Sequence, residues 1–331
     1  MKRFCIGLLS FAPGLLSAPD GPTFGSSFPR FKALSAAVVW ALPTNSRPAS
    51  LWIYKVIPQT FPDQAVSNLM AMGSLTMQDR LPGALFRLSN KNCSRYLTID
   101  PNQGRIEYGN EDARANKYDK KTHQHEAVEG VPNDAEAKEL ALRLLKQLGV
   151  QASELATKPG TSDPLTFGKK ITRSYLDKAR GVEIEDEVLT RGVFFNRQID
   201  GVHFAGIGVG AGCEVEFGNH AKVAQLRLVW RKLQPYEHRK VGSLDDIARW
   251  IREGRAVMTH RDYVNSLDVK KLTIKEIAPL YQAAGGQEQQ NFVYPFAQLE
   301  AVAELGTTNS PVQLYCPIIS GEPATAGSDQ R

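Results

Sequence analysis

The sequence predicts an α+β protein in which antiparallel sheets are each covered by a helix. Three observations carry this prediction: a β-meander pattern within 188–233, helix signals with well-placed caps, and a helix-then-strands order near 63–108, 133–233 and 243–319. A helix and a sheet each have one apolar face, and packing them together removes both faces from water. This burial, worth roughly 25 cal/mol per Å² of apolar area, is the expected source of stability.

Turn signals divide the segment 188–233 into strands. Asp200-Gly201 and Gly218-Asn219 each separate two apolar runs. Such dipeptides suit two-residue hairpin turns because their residues tolerate positive φ. After the second turn, apolar residues alternate with mostly polar ones, as in a strand with one buried face; they are Ala224, Leu226, Leu228 and Trp230.

Helix signals precede each group of strands. Asn133, with Glu136 three residues later, forms a capping-box pattern, and apolar residues at helical spacing follow as far as Leu148. A second capped helix is expected after Ser243, and a shorter one over 63–72. Strands are expected over 84–108, 269–277, 291–302 and 312–318.

Composition bounds the class of protein and suggests its divisions. A chain of 331 residues with 42% hydrophobic and 23% charged residues is typical of a soluble globular protein with two or three domains. We expect six parts: a signal peptide over 1–18, a linker or weakly ordered arm over 19–60, a small α+β module over 61–130, a central helix and β-meander over 131–240, a C-terminal helix and β module over 241–319, and a polar tail over 320–331.

The N-terminus has the pattern of a secretory signal peptide. Met1-Lys2-Arg3 is basic, and the apolar segment 4–18 that follows is too short to span a bilayer comfortably. We therefore expect a secreted or cell-envelope protein with no membrane span in the mature chain. A cytoplasmic location is the alternative if this segment is not a signal.

Positive charge is concentrated in 222–275, which holds 13 Lys and Arg against 6 Asp and Glu. A basic region can bind phosphate or another anionic surface. No recognised nucleic-acid module accompanies the charge, and solvated helix and strand faces also account for it, so nucleic acid is not an expected partner. The candidate residues for an anion-binding or partner-binding surface are Arg227, Arg231, Lys232, Arg239 and Lys240.

A family resemblance rests on the strands after Asn133. They carry RQIDGV at 197–202 and EVEFG at 214–218, and the next strand ends VWR at 229–231. With its strands in this order, the segment of about 133–255 resembles PepSY and thermolysin-propeptide-type domains. Whether the pattern repeats toward the C-terminus is left open. The turn GNHAKV and the insert GIGVGAG depart from the family pattern. The resemblance implies a helix on a small antiparallel sheet, in a non-catalytic exported domain that inhibits, chaperones or regulates a protein partner.

No complete catalytic site is recognisable, so we assign no catalytic residue and expect no cofactor. His123, His125 and Glu126 are weak metal-ligand candidates because alternate side chains of an extended segment share a face. A further ligand at motif spacing is missing, and solvated loop residues explain the same pattern. The acidic run at 183–187 and the glycines of 206–212 are interpreted as the approach to a strand and a β-connection.

Cysteine usage leaves the redox state open. Cys93, Cys213 and Cys316 fit one disulfide with a free thiol, and they equally fit three buried thiols. Whether Asn92, in an Asn-Cys-Ser triplet, is glycosylated is also open.

The functional expectation is an exported, non-enzymatic binding or regulatory protein that acts on a protein partner. The alternative is a secreted hydrolase or metal-dependent enzyme whose active site follows no recognised motif.

Overall fold

The structure is a computed structural model that describes residues 31, 34–43, 47–114, 118–119, 124–125, 128–177, 181–206, 211–258, 264–284 and 289–323. These residues contain twenty β-strands and three α-helices, so the protein is mainly β. The strands form three larger sheets, named sheets I, II and III below, and one small hairpin of β6 (Tyr118–Asp119) and β7 (Gln124–His125).

Sheet I has seven strands that all pair antiparallel. One of its faces is covered by two helices, α1 (Asp63–Met72) and α2 (Asp134–Gln147). In spatial order the strands are β3 (Phe86–Ser89), β4 (Arg95–Asp100), β5 (Arg105–Asn110), β13 (Val223–Val229), β12 (Gly212–Phe217), β9 (Val182–Asn196) and β8 (Thr166–Asp177).

The capping residues of α2 behave as the sequence predicts. Asn133 Oδ1 accepts a hydrogen bond from the Glu136 backbone N–H at 3.0 Å, and Glu136 Oε2 accepts one from the Asn133 N–H at 2.9 Å. Gly149, with φ of 85°, adopts a left-handed conformation just past the helix end. The buried face of α2, which packs on sheet I, consists of Ala137, Ala141, Leu144 and Leu145.

Strand β12 shows how the sequence builds a sheet with one apolar face. Cys213, Val215 and Phe217 belong to the core beneath the helices. Glu214 and Glu216 alternate with them and therefore lie on the opposite face, where both are buried and ion-paired. The side chain of Lys169 reaches both carboxylates, at 3.2 and 3.6 Å.

Sheet II draws its strands from distant parts of the chain. Its main path is β10 (Gln198–Ile199), β11 (Val202–Gly206), β16 (Lys271–Ala283), β18 (Pro295–Leu305), β19 (Thr308–Pro317) and β15 (Val257–Met258). A further strand, β1 (Ala37–Trp40), pairs parallel with the start of β16, and β11 pairs parallel with its end. The long β16 thereby joins the N-terminal, central and C-terminal segments.

Sheet III is antiparallel and has four strands, in the order β17 (Phe292–Val293), β2 (Ser50–Ile57), β14 (Lys232–Val241) and β20 (Ile319–Pro323). After β14 comes α3 (Leu244–Arg252), whose predicted cap Ser243 accepts a hydrogen bond from the Asp246 N–H. This helix packs on β19 of sheet II. Among the described residues no helix has the length and apolar character needed to cross a bilayer.

Apolar side chains form two separate cores. One lies between sheet I and the helices α1 and α2. The other joins sheets II and III with α3 and with Phe31 and Leu34 from the N-terminal segment. In the described part of the chain, the path passes between the cores four times: after β2, after β9, after β11 and after β13. The crossings after β9 and β13 lie side by side, and together with the one after β2 they line the site described below.

The predicted architecture of repeated helix-covered modules is wrong. Both α1 and α2 lie on sheet I, which combines strands from the first and central predicted modules, and sheet II reaches from residue 37 to residue 317. Alternating apolar residues show that a strand has a buried face, but they do not show which strand pairs with it. The strands of the family motif are divided as well, since β11 lies in sheet II and β12 in sheet I.

Strands also form inside the segment 19–60, for which the sequence predicts a linker. Both β1 and β2 lie there, and β2 pairs with β14 and β17 along its length. At the other end, β20 runs into the predicted tail as far as Pro323. The predicted signal peptide, 1–18, and residues 324–331 lie outside the described residues.

One of the two predicted hairpin turns is confirmed. Asp200 and Gly201 have φ of 52° and 75°, and they connect Ile199 to its partner Val202. The second turn is longer than predicted, because a 3-10 turn, Asn219–Ala221, lies between β12 and β13. Most of the glycine insert, 207–210, lies outside the described residues.

Candidate functional site

A cleft of about 620 Å³ opens where the chain crosses between the two cores. Its walls come from β2 and the loop after it, from the 3-10 turn Ala152–Glu154 that follows α2, from β10, and from the connection between β13 and β14. The polar and charged side chains in its lining are Tyr54, Gln59, Thr60, Ser153, Glu154, Arg197, Gln198, Asp200, Arg231 and Lys232.

Arg197 holds one wall of the cleft together. Its Nη2 lies 2.8 Å from Glu154 Oε2, and its Nη1 donates to the carbonyl of Arg231 at 2.6 Å. The indole N–H of Trp230 donates to the same Glu154 oxygen at 2.6 Å, and the guanidinium lies 5.1 Å from the Trp230 ring centroid. The Arg197 side chain is only 4% exposed, and this burial lowers the pKa of its guanidinium. The negative charge of Glu154 offsets part of that decrease.

Arg231 borders the cleft, but its guanidinium binds two groups outside the cleft lining. Its guanidinium donates to Gln103 Oε1 at 3.2 and 3.3 Å and to the carbonyl of Ala284 at 3.0 Å. Gln103 precedes β5 of sheet I, and Ala284 follows β16 of sheet II. The side chain therefore ties the two cores together behind the cleft wall.

A second polar chain reaches the cleft from the core of sheets II and III. Tyr54 donates a hydrogen bond to Asp200 Oδ2 at 3.4 Å, and Tyr281 in turn hydrogen-bonds the Tyr54 hydroxyl. Both phenols are buried, whereas Asp200 is exposed at the tip of the β10–β11 hairpin. Two interior tyrosines thus direct a hydrogen bond toward one exposed carboxylate.

Two buried polar atoms beside the cleft have no hydrogen-bond partner among the described residues. They are Nε of Arg197, a donor, and Oε1 of Gln59, an acceptor. Leaving such an atom unsatisfied costs about 1–3 kcal/mol, so folded proteins keep few of them. Glu154 uses only Oε2 in its bonds to Arg197 and Trp230. The cleft therefore offers a donor and two acceptors that a polar ligand could satisfy.

The buried phenols and thiols stay protonated near neutral pH. Burial, together with the charge of Asp200, raises the pKa of Tyr54 to about 12. Burial also raises the pKa of Tyr281 and of the Cys213 and Cys316 thiols. Protonated groups of this kind donate hydrogen bonds and are poor nucleophiles. None of the three cysteines in the described residues forms a disulfide, and Cys93 is the exposed one.

The structure separates the five residues of the predicted basic surface. Lys232, Arg239 and Lys240 all lie on β14, and Lys232 borders the cleft. Arg239 is ion-paired with Glu237 at 2.8 Å. Arg231 is buried as described above, and Arg227 lies on sheet I near Glu214. Lys232 and Lys240 are exposed at opposite ends of β14, where they pair with Ile57 and Ser50 of β2.

Two of the three predicted metal ligands lie outside the described residues. His123 and Glu126 lie outside the described residues, and His125 is described only as a backbone position of β7. Of the acidic run 183–187, Glu187 is bound to Arg173 at 2.9 Å and accepts from the Val128 N–H. Within the described parts of the chain, no group of three or more His, Cys, Asp or Glu side chains is arranged to hold a metal ion.

Sequence reasoning names Arg231 and Lys232 but misses the other residues that build the cleft. Tyr54 lies inside the predicted linker, and Glu154 lies in a polar connection after α2. The run SLWIYKVI at 50–57 is the signal that could have revealed a strand there, because aromatic and β-branched residues dominate it.

Comparisons with known proteins provide no name for the site. No family model matches the chain, and no curated protein matches it. Among solved structures, the chain is similar to the crystal structure of an uncharacterized protein from Eubacterium rectale ATCC 33656. The two share 9% sequence identity with a TM-score of 0.44, over 87% of this chain and 89% of that one.

Proposed function

We propose that this protein is a non-catalytic binding protein whose cleft takes an extended segment of a partner protein. The observation that carries the proposal is the pair of unsatisfied atoms in the cleft walls, Arg197 Nε and Gln59 Oε1. A peptide group supplies both a carbonyl acceptor and an N–H donor, which are the partners that these two atoms lack. Both atoms are buried now, so a small rotation of each side chain must accompany binding.

The size and rigidity of the cleft support this use. Its volume of about 620 Å³ falls within the roughly 300–1,000 Å³ of ligand sites in proteins. Glu154, Trp230 and the Arg231 carbonyl already hold Arg197 in place. These bonds limit Arg197 to the small rotation that binding requires, so little side-chain entropy is lost when the ligand arrives.

The protonation of the interior groups favours recognition over bond-breaking. With pKa values raised by burial, Tyr54 and Tyr281 act as hydrogen-bond donors at neutral pH, and the thiols of Cys213 and Cys316 are poor nucleophiles. The signal-like N-terminus and the resemblance to PepSY-type domains motivate the further proposal that the partner is an extracellular or envelope protein.

A capture experiment with two matched variants tests the proposal. Ser153 is exposed on the cleft rim, so Ser153→Trp places a bulky side chain at the cleft and obstructs it without changing its charge. Ser162 is exposed in a loop outside the cleft lining, and Ser162→Trp is the matched control. The immobilised wild-type protein and the Ser162→Trp variant should retain the same protein from envelope extract or culture supernatant, and Ser153→Trp should lose it. Equal retention by all three, or retention of nothing, would contradict the proposal.

A further inference from the structure

Asp200 is a cleft carboxylate with no cationic partner among the residues that the structure describes. It is exposed at the tip of the β10–β11 hairpin and lines the cleft. Within the described residues, no Lys or Arg side chain is paired with it at ion-pair distance. Its hydrogen bond from Tyr54, at 3.4 Å, is long compared with the usual 2.7–2.8 Å for a hydroxyl donor. The carboxylate can therefore take a stronger partner.

The tyrosines behind Asp200 prepare it for a cation. Tyr281 hydrogen-bonds Tyr54, and Tyr54 donates to Asp200, so the relay points donor hydrogens toward the carboxylate. A carboxylate that is held in place at the rim of a cleft suits a positively charged ligand group.

Glu154, the second carboxylate of the cleft, is already paired with Arg197, which leaves Asp200 as the carboxylate for a ligand. The turn containing Glu154 lies beside β10, where Leu155 bridges to Arg197. Arg197 and Asp200 flank β10 at its two ends, which places them roughly 10 Å apart at about 3.3 Å per residue of strand. Ile199 of β10 and Leu233 of β14 supply apolar lining to the cleft. Long basic side chains lay their methylene stems on such surfaces and keep the charged end at a polar group.

We propose that the segment bound in the cleft presents a lysine or arginine side chain to Asp200, with its stem along Ile199 and Leu233. This inference rests on the proposed function and specifies the partner: an extended segment with a basic residue. Lys232 is exposed in the same cleft lining and carries the opposite charge to Asp200. Its positive charge therefore repels a basic ligand. The two residues should therefore have opposite effects on binding.

A random heptapeptide display library is the probe for this inference. It is panned against the wild-type protein and counter-selected on Ser153→Trp, so that only cleft-dependent peptides remain. Selected peptides should carry Lys or Arg more often than the unselected library. Their affinities are then measured by fluorescence anisotropy for Asp200→Asn and Lys232→Gln, with Asp245→Asn and Lys275→Gln as matched controls at exposed positions outside the cleft lining.

The two charge variants are expected to change the affinity in opposite directions. Asp200→Asn should lower the affinity for the selected peptides roughly three- to tenfold, because a partly solvent-exposed ion pair is lost. Asn tolerates the left-handed backbone at this turn, so the hairpin stays intact. Lys232→Gln should raise the affinity for the selected peptides, and both controls should leave it unchanged.

The outcomes separate this inference from the proposed function. Cleft-dependent peptides that are acidic, or that bind Asp200→Asn as tightly as wild type, would overturn the inference and leave the proposed function standing. A library that yields no peptide sensitive to Ser153→Trp would overturn both.

Discussion

Glu154 Oε2 lies 2.8 Å from Nη2 of Arg197, and this ion pair links the turn after α2 to the point where the chain leaves sheet I for sheet II. The same oxygen accepts the Trp230 indole N–H at 2.6 Å. One carboxylate therefore fixes two elements at the junction of the cores. The pair gives the cleft a wall that persists without ligand.

Replacing Glu154 with Gln should lower the free energy of unfolding by about 2 kcal/mol. The variant keeps an acceptor for Trp230 but leaves the buried Arg197 charge without its counter-ion, and breaking a fully buried pair costs about 3–5 kcal/mol. The value is reduced because the Glu154 side chain is 31% exposed. Urea unfolding measures the change. Glu139→Gln, an exposed position on α2, is the control and should stay within about 0.5 kcal/mol of wild type.

Gly109 should tolerate no side chain while Tyr96 is present. The two residues are paired neighbours on β5 and β4, and a Cβ at position 109 would lie 2.3 Å from a ring carbon of Tyr96. Gly109→Ala should therefore cost about 1–3 kcal/mol, as overpacking does. The same change should cost clearly less in a Tyr96→Ala background. Equal costs in both backgrounds, measured by urea unfolding, would mean that the ring is not the cause.

The stability of the protein should fall at alkaline pH in a way that depends on Tyr54. Its pKa is raised to about 12 in the folded state from 10. Below pH 10 the phenol is protonated in both states and its contribution is complete. As the pH rises from 10 to 12, the Tyr54 phenol ionises in the unfolded chain but not yet in the folded protein. The free energy of unfolding therefore falls by about 1.4 kcal/mol per pH unit. Tyr54→Phe should show a shallower loss between pH 9.5 and 11, with a remainder from the other tyrosines and the two thiols whose pKa values burial raises. An unchanged slope would contradict the assignment.

Cysteine labelling should distinguish the three described thiols. Cys93 is exposed, whereas Cys213 and Cys316 are buried in different cores and have raised pKa values. Iodoacetamide at pH 8 should therefore modify Cys93 in the folded protein, and the two buried thiols only after unfolding in urea. Peptide mass mapping reads the result. Rapid labelling of Cys213 or Cys316 in the folded protein would show that its core is open.

Local features of the sequence predict local structure well, and they fail where distant residues meet. The caps of α2 and α3 and the Asp200-Gly201 turn depend on neighbours within four positions, and the structure contains all three. The hydrogen bond from Tyr54 to Asp200 joins residues 146 positions apart. Nothing in the spacing of apolar residues specifies such a contact, because it follows from how the sheets pair.

The same limit explains the wrong architecture. Apolar alternation in β11 and β12 predicts strands, but it does not reveal that β11 pairs with β16 while β12 pairs with β9 and β13. Parallel pairing along β16 depends on strands more than sixty residues away in sequence. The cleft lies where these long-range pairings meet, so its residues had no shared sequence signature.

Amide hydrogen exchange on the protein, alone and with the captured partner, tests the central claim most directly. If the cleft holds the partner segment, exchange should slow in 198–200 and in 231–233, on the crossings after β9 and β13, which line the cleft. The strand β18, in the middle of sheet II, should exchange at the same rate with and without partner. Protection elsewhere, with both crossings unchanged, would contradict the account.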